Sequence, residues 1–165
     1  MILERSFHPS YICCMKKIFL CLSFLTTILT TTAQAKDHNF GIGIMGGEPV
    51  GINAKFWFSN AIAADTAVGY SFLGPDGIQI HGDILYHLFS IFDVNKGSMP
   101  IYLGVGSRLK FQTGDNKFGI RFPIGVEYIF DSAPIGIFAE AVPVLDLSPS
   151  TKAAFNGGAG IRWLF

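Results

Sequence analysis

Past residue 35 the chain contains no cysteine; all three, Cys13, Cys14 and Cys21, lie before that point. A disulfide framework and a thiolate metal site are therefore excluded for the rest of the chain. Charge is scarce as well, at 15% of 165 residues. A basic excess is missing: with Arg5, Lys16, Lys17 and Glu4 set aside, residues 36–165 hold 9 Lys and Arg against 11 Asp and Glu, a net charge of −2. A nucleic-acid partner would require a basic face, so that class is excluded. Beyond the N-terminal region there is also no run of about 20 apolar residues, the length a membrane-spanning helix needs.

Hydrophobicity is nevertheless high, with 50% hydrophobic residues and a mean hydropathy of +0.42. In lipid, only helices and closed barrels satisfy every backbone polar group. High hydropathy without a helix-length apolar run therefore points to a barrel.

The N-terminus has the layout of an export signal. Met15-Lys16-Lys17 is a basic start, residues 18–29 are an apolar stretch, and Ala33-Gln34-Ala35 is a small-residue cleavage site. Residues 15–35 are expected to be a cleaved signal peptide, and residues 1–14 an extension from a mis-assigned start. Cys21 sits inside the apolar stretch, and Phe19-Leu20 before it lacks the small residues a lipidation site needs. Cleavage after Ala35 leaves residues 36–165, a length suited to one domain.

From Asn39 onward the apolar period is two, the period of strands with one apolar face. Eight segments are predicted, at 39–47, 50–58, 61–72, 77–88, 100–111, 118–130, 134–146 and 153–165. Turn residues separate them, among them Glu48-Pro49, Ser59-Asn60, Gly74-Pro75-Asp76-Gly77, Asn95-Lys96-Gly97-Ser98, Gly114-Asp115-Asn116 and Ser148-Pro149-Ser150. Most segments have the length of a tilted strand that crosses a bilayer.

The two faces of each segment differ. Phe118, Ile120, Phe122, Ile124, Val126 and Tyr128 share one face, opposite Gly119, Arg121, Pro123, Gly125 and Glu127. Ile101, Leu103, Val105, Leu109 and Phe111 oppose Tyr102, Gly104, Gly106, Arg108 and Lys110; Ile78, Ile80, Ile84 and Tyr86 oppose Gln79, His81, Asp83 and His87. In a soluble barrel the apolar face packs inside, whereas in a membrane barrel it faces lipid.

Three features favour the membrane arrangement. The polar face is rich in glycine, which suits a crowded interior. Its charges are few and nearly balanced: Lys55, Arg108, Lys110, Arg121 and Arg162 against Asp65, Asp83, Glu127 and Glu140. Aromatic residues gather at the segment ends, namely Phe56, Trp57, Phe58, Tyr86, Phe89, Phe92, Tyr102, Tyr128, Phe130, Trp163 and Phe165, as an interfacial belt would require. The expected fold is all-β: an eight-stranded antiparallel up-and-down transmembrane β-barrel. Such a barrel has an interior filled by side chains.

In the last segment Ala159, Ile161, Trp163 and Phe165 alternate on one face. Gly160, Trp163 and Phe165 resemble the C-terminal assembly signal of outer-membrane barrels, although Gly158 stands where a polar residue is usual. Over residues 39–165 the chain resembles the OmpA/OmpX-like superfamily of small eight-stranded barrels, and it is similar to a group of small spirochaete outer-membrane barrels. The resemblance implies an outer-membrane location. The implied partners are outer-membrane lipids, the barrel-assembly machinery and periplasmic chaperones, with the barrel itself a monomer. It carries over no activity.

No catalytic constellation emerges. Barrel-type lipid A deacylases use a His and a Ser on the lipid-facing side, but His81 and His87 fall on the polar face and neither begins a His-x-Ser pair. His81 with Asp83 reads as a hydrogen-bonding pair rather than a metal site. Gly41-Ile42-Gly43 and Gly157-Gly158-Ala159-Gly160 lack the following helix of a phosphate loop. The one polar constellation is the lumen charge network Lys55, Asp65, Asp83, Arg108, Arg121, Glu127, Glu140 and Arg162, expected to pair because a buried lone charge is costly. Arg121→Ala is expected to be tolerated better than Ile124→Arg unless it orphans Glu127 or Glu140. The outer connections are short, which disfavours adhesion. The reading is a non-enzymatic outer-membrane barrel without cofactor or metal, in a structural or surface-interaction role. Its rivals are a narrow pore or transporter for small solutes, and a soluble periplasmic barrel binding a hydrophobic ligand inside.

Overall fold

The computed structural model describes residues 39–165, so the start extension and the signal peptide lie outside the described residues. Nine antiparallel strands form one ring-like sheet: β1 (Phe40–Glu48), β2 (Val50–Trp57), β3 (Ile62–Ser71), β4 (Gly77–Leu88), β5 (Ile101–Gln112), β6 (Lys117–Arg121), β7 (Ile124–Ile129), β8 (Ile135–Ser148) and β9 (Lys152–Leu164). Strands pair with their neighbours in sequence except that β6 and β7 each pair with β5 and β8, and β1 pairs with β9 to close the ring. No helix among the described residues is long and apolar enough to cross a membrane.

The strand count corrects the expectation of eight. The single segment predicted at 118–130 is divided into β6 and β7 at Phe122-Pro123. Proline has no N–H to give to a ladder, so regular pairing stops there. The two halves still occupy one position in the ring, because each pairs with β5 on one side and β8 on the other. Two isolated backbone bonds bridge the break, Gly104 N–H to Pro123 C=O and Phe122 N–H to Pro143 C=O, both at 2.9 Å. The other strand bounds lie within two residues of those predicted.

Both chain ends of the described region lie at one end of the ring, called here the near end. Phe165 N–H donates to Phe40 C=O at 2.7 Å and their rings stand 6.1 Å apart. Near-end connections include the longest in the ring, between β4 and β5. It is tied down where Ser98 and Ile129 exchange two backbone bonds, Gly97 N–H donates to the Asp131 carboxylate at 2.6 Å, and Tyr128 Oη donates to Lys96 C=O at 2.9 Å. Far-end turns are short. Gly74 (φ 77°) and Gly114 (φ 96°) take the left-handed conformation that closes two of them.

Burial follows the period of two, with polar residues inside. Lys55, Asp65, Gln79, His81, Asp83, Arg108, Lys110, Arg121, Glu127, Asp146, Asn156 and Arg162 are buried, whereas Ile42, Ile44, Ile52, Ile80, Ile84, Leu103, Val105, Leu109, Ile124 and Ile161 are exposed outward. Outward aromatic residues cluster toward both ends. Phe56 with Phe58 and Tyr128 with Phe130 are edge-to-face pairs at the near end, and Tyr70 with Phe72 is one at the far end. Two members of the expected belt do not belong to it. Trp57 is 6% exposed and Tyr102 0% exposed. Both lie on the inward parity of their strands, in step with Lys55 and Arg108, so the pleat turns them into the ring.

Candidate functional site

The ring interior is filled by the charged network. Two registers explain why the charges must pair laterally. Lys55, Asp65 and Asp83 stand opposite one another on β2, β3 and β4, which places two carboxylates side by side. Like charges directly opposite in a sheet destabilise it. Each acid is instead matched to an arginine from a non-adjacent strand: Arg162 Nη2 on β9 reaches Asp65 at 2.5 Å and Arg121 Nε on β6 reaches Asp83 at 3.1 Å.

Three groups result. Toward the near end, Glu127 is clamped between Lys55 and Arg162, the latter at 3.1 Å. Lys55 Nζ also lies 2.8 Å from His87 Nε2 and 4.5 Å from the Trp57 ring centre, and Arg162 stacks 3.7 Å over Phe138. With its amide oxygen turned inward, Asn53 accepts from Arg162 Nε and Nη2 at 3.1 and 2.9 Å. In the middle, Arg121 adds a contact to Glu140 at 3.5 Å, and Tyr102 Oη donates to the same carboxylate at 3.1 Å. Toward the far end, Arg108 binds both oxygens of Asp146, at 2.7 and 2.9 Å from Nη2, and donates to Asn156 at 2.8 Å and Gln79 at 3.3 Å.

Seven of the eight residues expected in the network thus pair among themselves, while Arg108 takes Asp146. Asp146, Asn156, Asn53 and Gln79 were not singled out from the sequence. The signal was present: Asp146 has the parity of Glu140 on its strand, and Asn156 that of Arg162. Arg121→Ala meets the stated exception: Arg121 is the ion-pair partner of both Asp83 and Glu140, and Glu140 would keep only the Tyr102 hydroxyl. Of the C-terminal trio, Trp163 and Phe165 are exposed outward. Gly160 faces inward, where a Cβ would lie 2.6 Å from the Phe138 ring.

Glycine also makes room for the middle group. Tyr102, Gly125 and Glu140 lie in one cross-strand row, and the tyrosine ring passes over Gly125 to reach the acid. A Cβ on Gly125 would stand 2.5 Å from Tyr102 Oη and 2.6 Å from the Ala139 carbonyl oxygen. Gly125→Ala should therefore displace Tyr102 and lower stability by about 1–3 kcal/mol, the range for overpacking. Equilibrium urea unfolding checks this, and an unchanged midpoint would show that the ring is not confined there.

Among the described residues no group of three or more His, Cys, Asp or Glu is arranged to hold a metal ion. His87 is engaged by Lys55, and the carboxylates are engaged by arginine, lysine or tyrosine. What the arrangement accomplishes chemically is to neutralise and cross-brace the inside of a ring.

Closed antiparallel sheet, polar filling and apolar exterior define a small β-barrel fold. A search of solved structures finds the N-terminal β-barrel domain of Pseudomonas aeruginosa OprF, with a TM-score of 0.63 and 15% sequence identity, covering 78% of this chain and 98% of that one. At that identity the likeness is one of fold. No protein-family model and no curated protein sequence matches the chain. None of these comparisons supports the expected similarity to spirochaete barrels.

Proposed function

We propose that the chain is an integral outer-membrane β-barrel with a structural role, exported by its N-terminal signal and without catalytic activity. The observation that carries this reading is the inverted surface: arginines and carboxylates inside, isoleucine, valine, leucine and phenylalanine outside around the whole ring. In water such an exterior would be a continuous apolar patch far larger than soluble monomers expose. In lipid it is the expected surface, with aromatic residues at the two interfaces. On this reading the near end faces the periplasm, the barrel is a monomer, and Gly160, Trp163 and Phe165 present the last strand to chaperones and the barrel-assembly machinery.

The charged interior speaks against the pore. Arg162, Arg121 and Arg108 each extend from one wall to acids on another, so an ion would have to break several buried pairs to pass. It also speaks against a soluble barrel holding a hydrophobic ligand, whose interior would be apolar. Fractionation tests the reading: the chain should sediment with outer membranes and run with heat-modifiable mobility on gels. Recovery in the soluble periplasmic fraction would overturn it.

A further inference from the structure

The far end of the ring carries an arrangement the sealing network does not use. Lys110 on β5 and Lys117 on β6 are directly paired in the ladder, and both have inward parity. Opposed like charges cost stability wherever nothing lies between them. Lys152, at the start of β9, has inward parity with Asn156 and Arg162 and stands opposite Asp146. Neither Lys117 nor Lys152 forms an ion pair among the described residues. Lys110 donates to Leu73 C=O at 2.7 Å, a contact that does not neutralise its charge.

Glu48 and Asp76 act on Lys110 electrostatically, but no acid among the described residues lies within ion-pair distance of the three lysines. Asp146 is bound through both oxygens by Arg108. Glu48 accepts from the Ser71 hydroxyl and from the N–H groups of Phe72 and Leu73, at 3.0 and 3.3 Å, neutral donors that fix it in the β3–β4 hairpin and leave its charge acting on Lys110. Asp76 and Asp115 lie on exposed hairpin tips and form no ion pair among the described residues.

A second, independent feature lies in the same layer. Gln79, which is fully buried, stands opposite Lys110 in the ladder. Its Oε1 accepts from Arg108 and Asn156, and its Nε2 donor has no partner. Buried amide donors are ordinarily satisfied. Lys117, Lys152 and the Gln79 amide, which lies at the level of Lys110, are donors without a partner among the described residues, and the Gln112 side-chain carbonyl is the one buried acceptor at this end that also lacks one. Phosphate and sulfate groups suit such a set, because several of their oxygens accept charge-assisted hydrogen bonds at once.

We propose that the far mouth of the barrel binds a multivalent oxyanion of the phosphate or sulfate type through Lys110, Lys117 and Lys152, with the Gln79 amide beneath. The oxyanion is either a small free ion or a group carried on a saccharide at the mouth; both present the same acceptors. The inference does not depend on the membrane reading, since the mouth meets water in either environment.

The test is calorimetric titration of inorganic pyrophosphate, and separately of a phosphorylated oligosaccharide, into the purified folded chain at low salt. Binding of at least one probe is expected, weakening as salt rises. The double variant Lys117→Gln, Lys152→Gln changes two partly or fully exposed side chains and should fold normally. It should bind about a hundredfold more weakly, the loss expected for two charged hydrogen bonds at about tenfold each. Lys96→Gln, at the near end, should bind as the parent does. Pyrophosphate binding alone would identify a small free ion as the ligand, and binding of both probes a group that can be carried on a saccharide. No binding of either probe, equal affinity in the double variant, or equal weakening by Lys96→Gln would overturn the proposal.

Discussion

Arg162→Met is expected to destabilise the barrel by about 3–5 kcal/mol, the loss seen when one partner of a buried ion pair is removed. Arg162 is 1% exposed and holds two acids at once, Asp65 at 2.5 Å and Glu127 at 3.1 Å. Glu127 would keep Lys55, but Asp65 has no other ion-pair partner among the described residues. Methionine fills much of the same volume and keeps contact with Phe138, so the loss reports the orphaned charge rather than a cavity. The midpoint of urea unfolding, followed by gel mobility of the folded band, measures it. A second variant isolates the cause: adding Asp65→Asn to Arg162→Met should recover part of the loss, because it removes the lone carboxylate charge. If Arg162→Met unfolds within about 1 kcal/mol of the parent, the paired interior does not hold the ring together.

The second large effect concerns the outer wall. Ile124 is 56% exposed, opens β7 at mid-height in the ring, and points outward. In a bilayer an arginine there should cost about 2–4 kcal/mol. Ile124→Arg should therefore assemble poorly in cells and leave little heat-modifiable protein in the membrane fraction. In a water-soluble barrel the same change would place a charge on a hydrated surface and do almost nothing, within about 0.5 kcal/mol. Normal assembly of Ile124→Arg would thus overturn the membrane reading while leaving the fold intact. Arg121→Ala behaves differently: it orphans Asp83 and Glu140 in either environment, so it should destabilise the barrel in detergent and in membranes alike.

Much of this was visible before any coordinates. Alternation of isoleucine with arginine, glycine or glutamate along 118–128 reveals a strand and its two faces, because successive side chains in a strand must point opposite ways. Gly74-Pro75-Asp76-Gly77 and Gly114-Asp115-Asn116 mark turns through residues that favour tight reversals. Elsewhere the one-dimensional pattern misled. Trp57 reads as a belt aromatic because it stands between Phe56 and Phe58 at a strand end. Parity with Lys55 turns it inward, because alternation along the strand decides the face and nearness to a strand end does not. Pro123 was read as one more residue of a continuous strand, although its missing N–H divides the ladder.

The linear order of residues was enough to set the all-β class, the turns, and which side chains share a face, since each depends on neighbours one to four residues away. Which acid meets which arginine was not contained in it. Asp65 and Arg162 are 97 residues apart, and Arg108 chooses Asp146 over the acids nearer in sequence. The first pair follows from ring closure through β1 and β9, and the second from β6 setting β5 and β8 on either side of itself. The opposed lysines of β5 and β6 come from hairpin register, and Gln79 joins them because β4 lies beside β5. Local chemistry specifies the strands; the closed geometry selects the partners, because a buried charge must find its counterion in three dimensions.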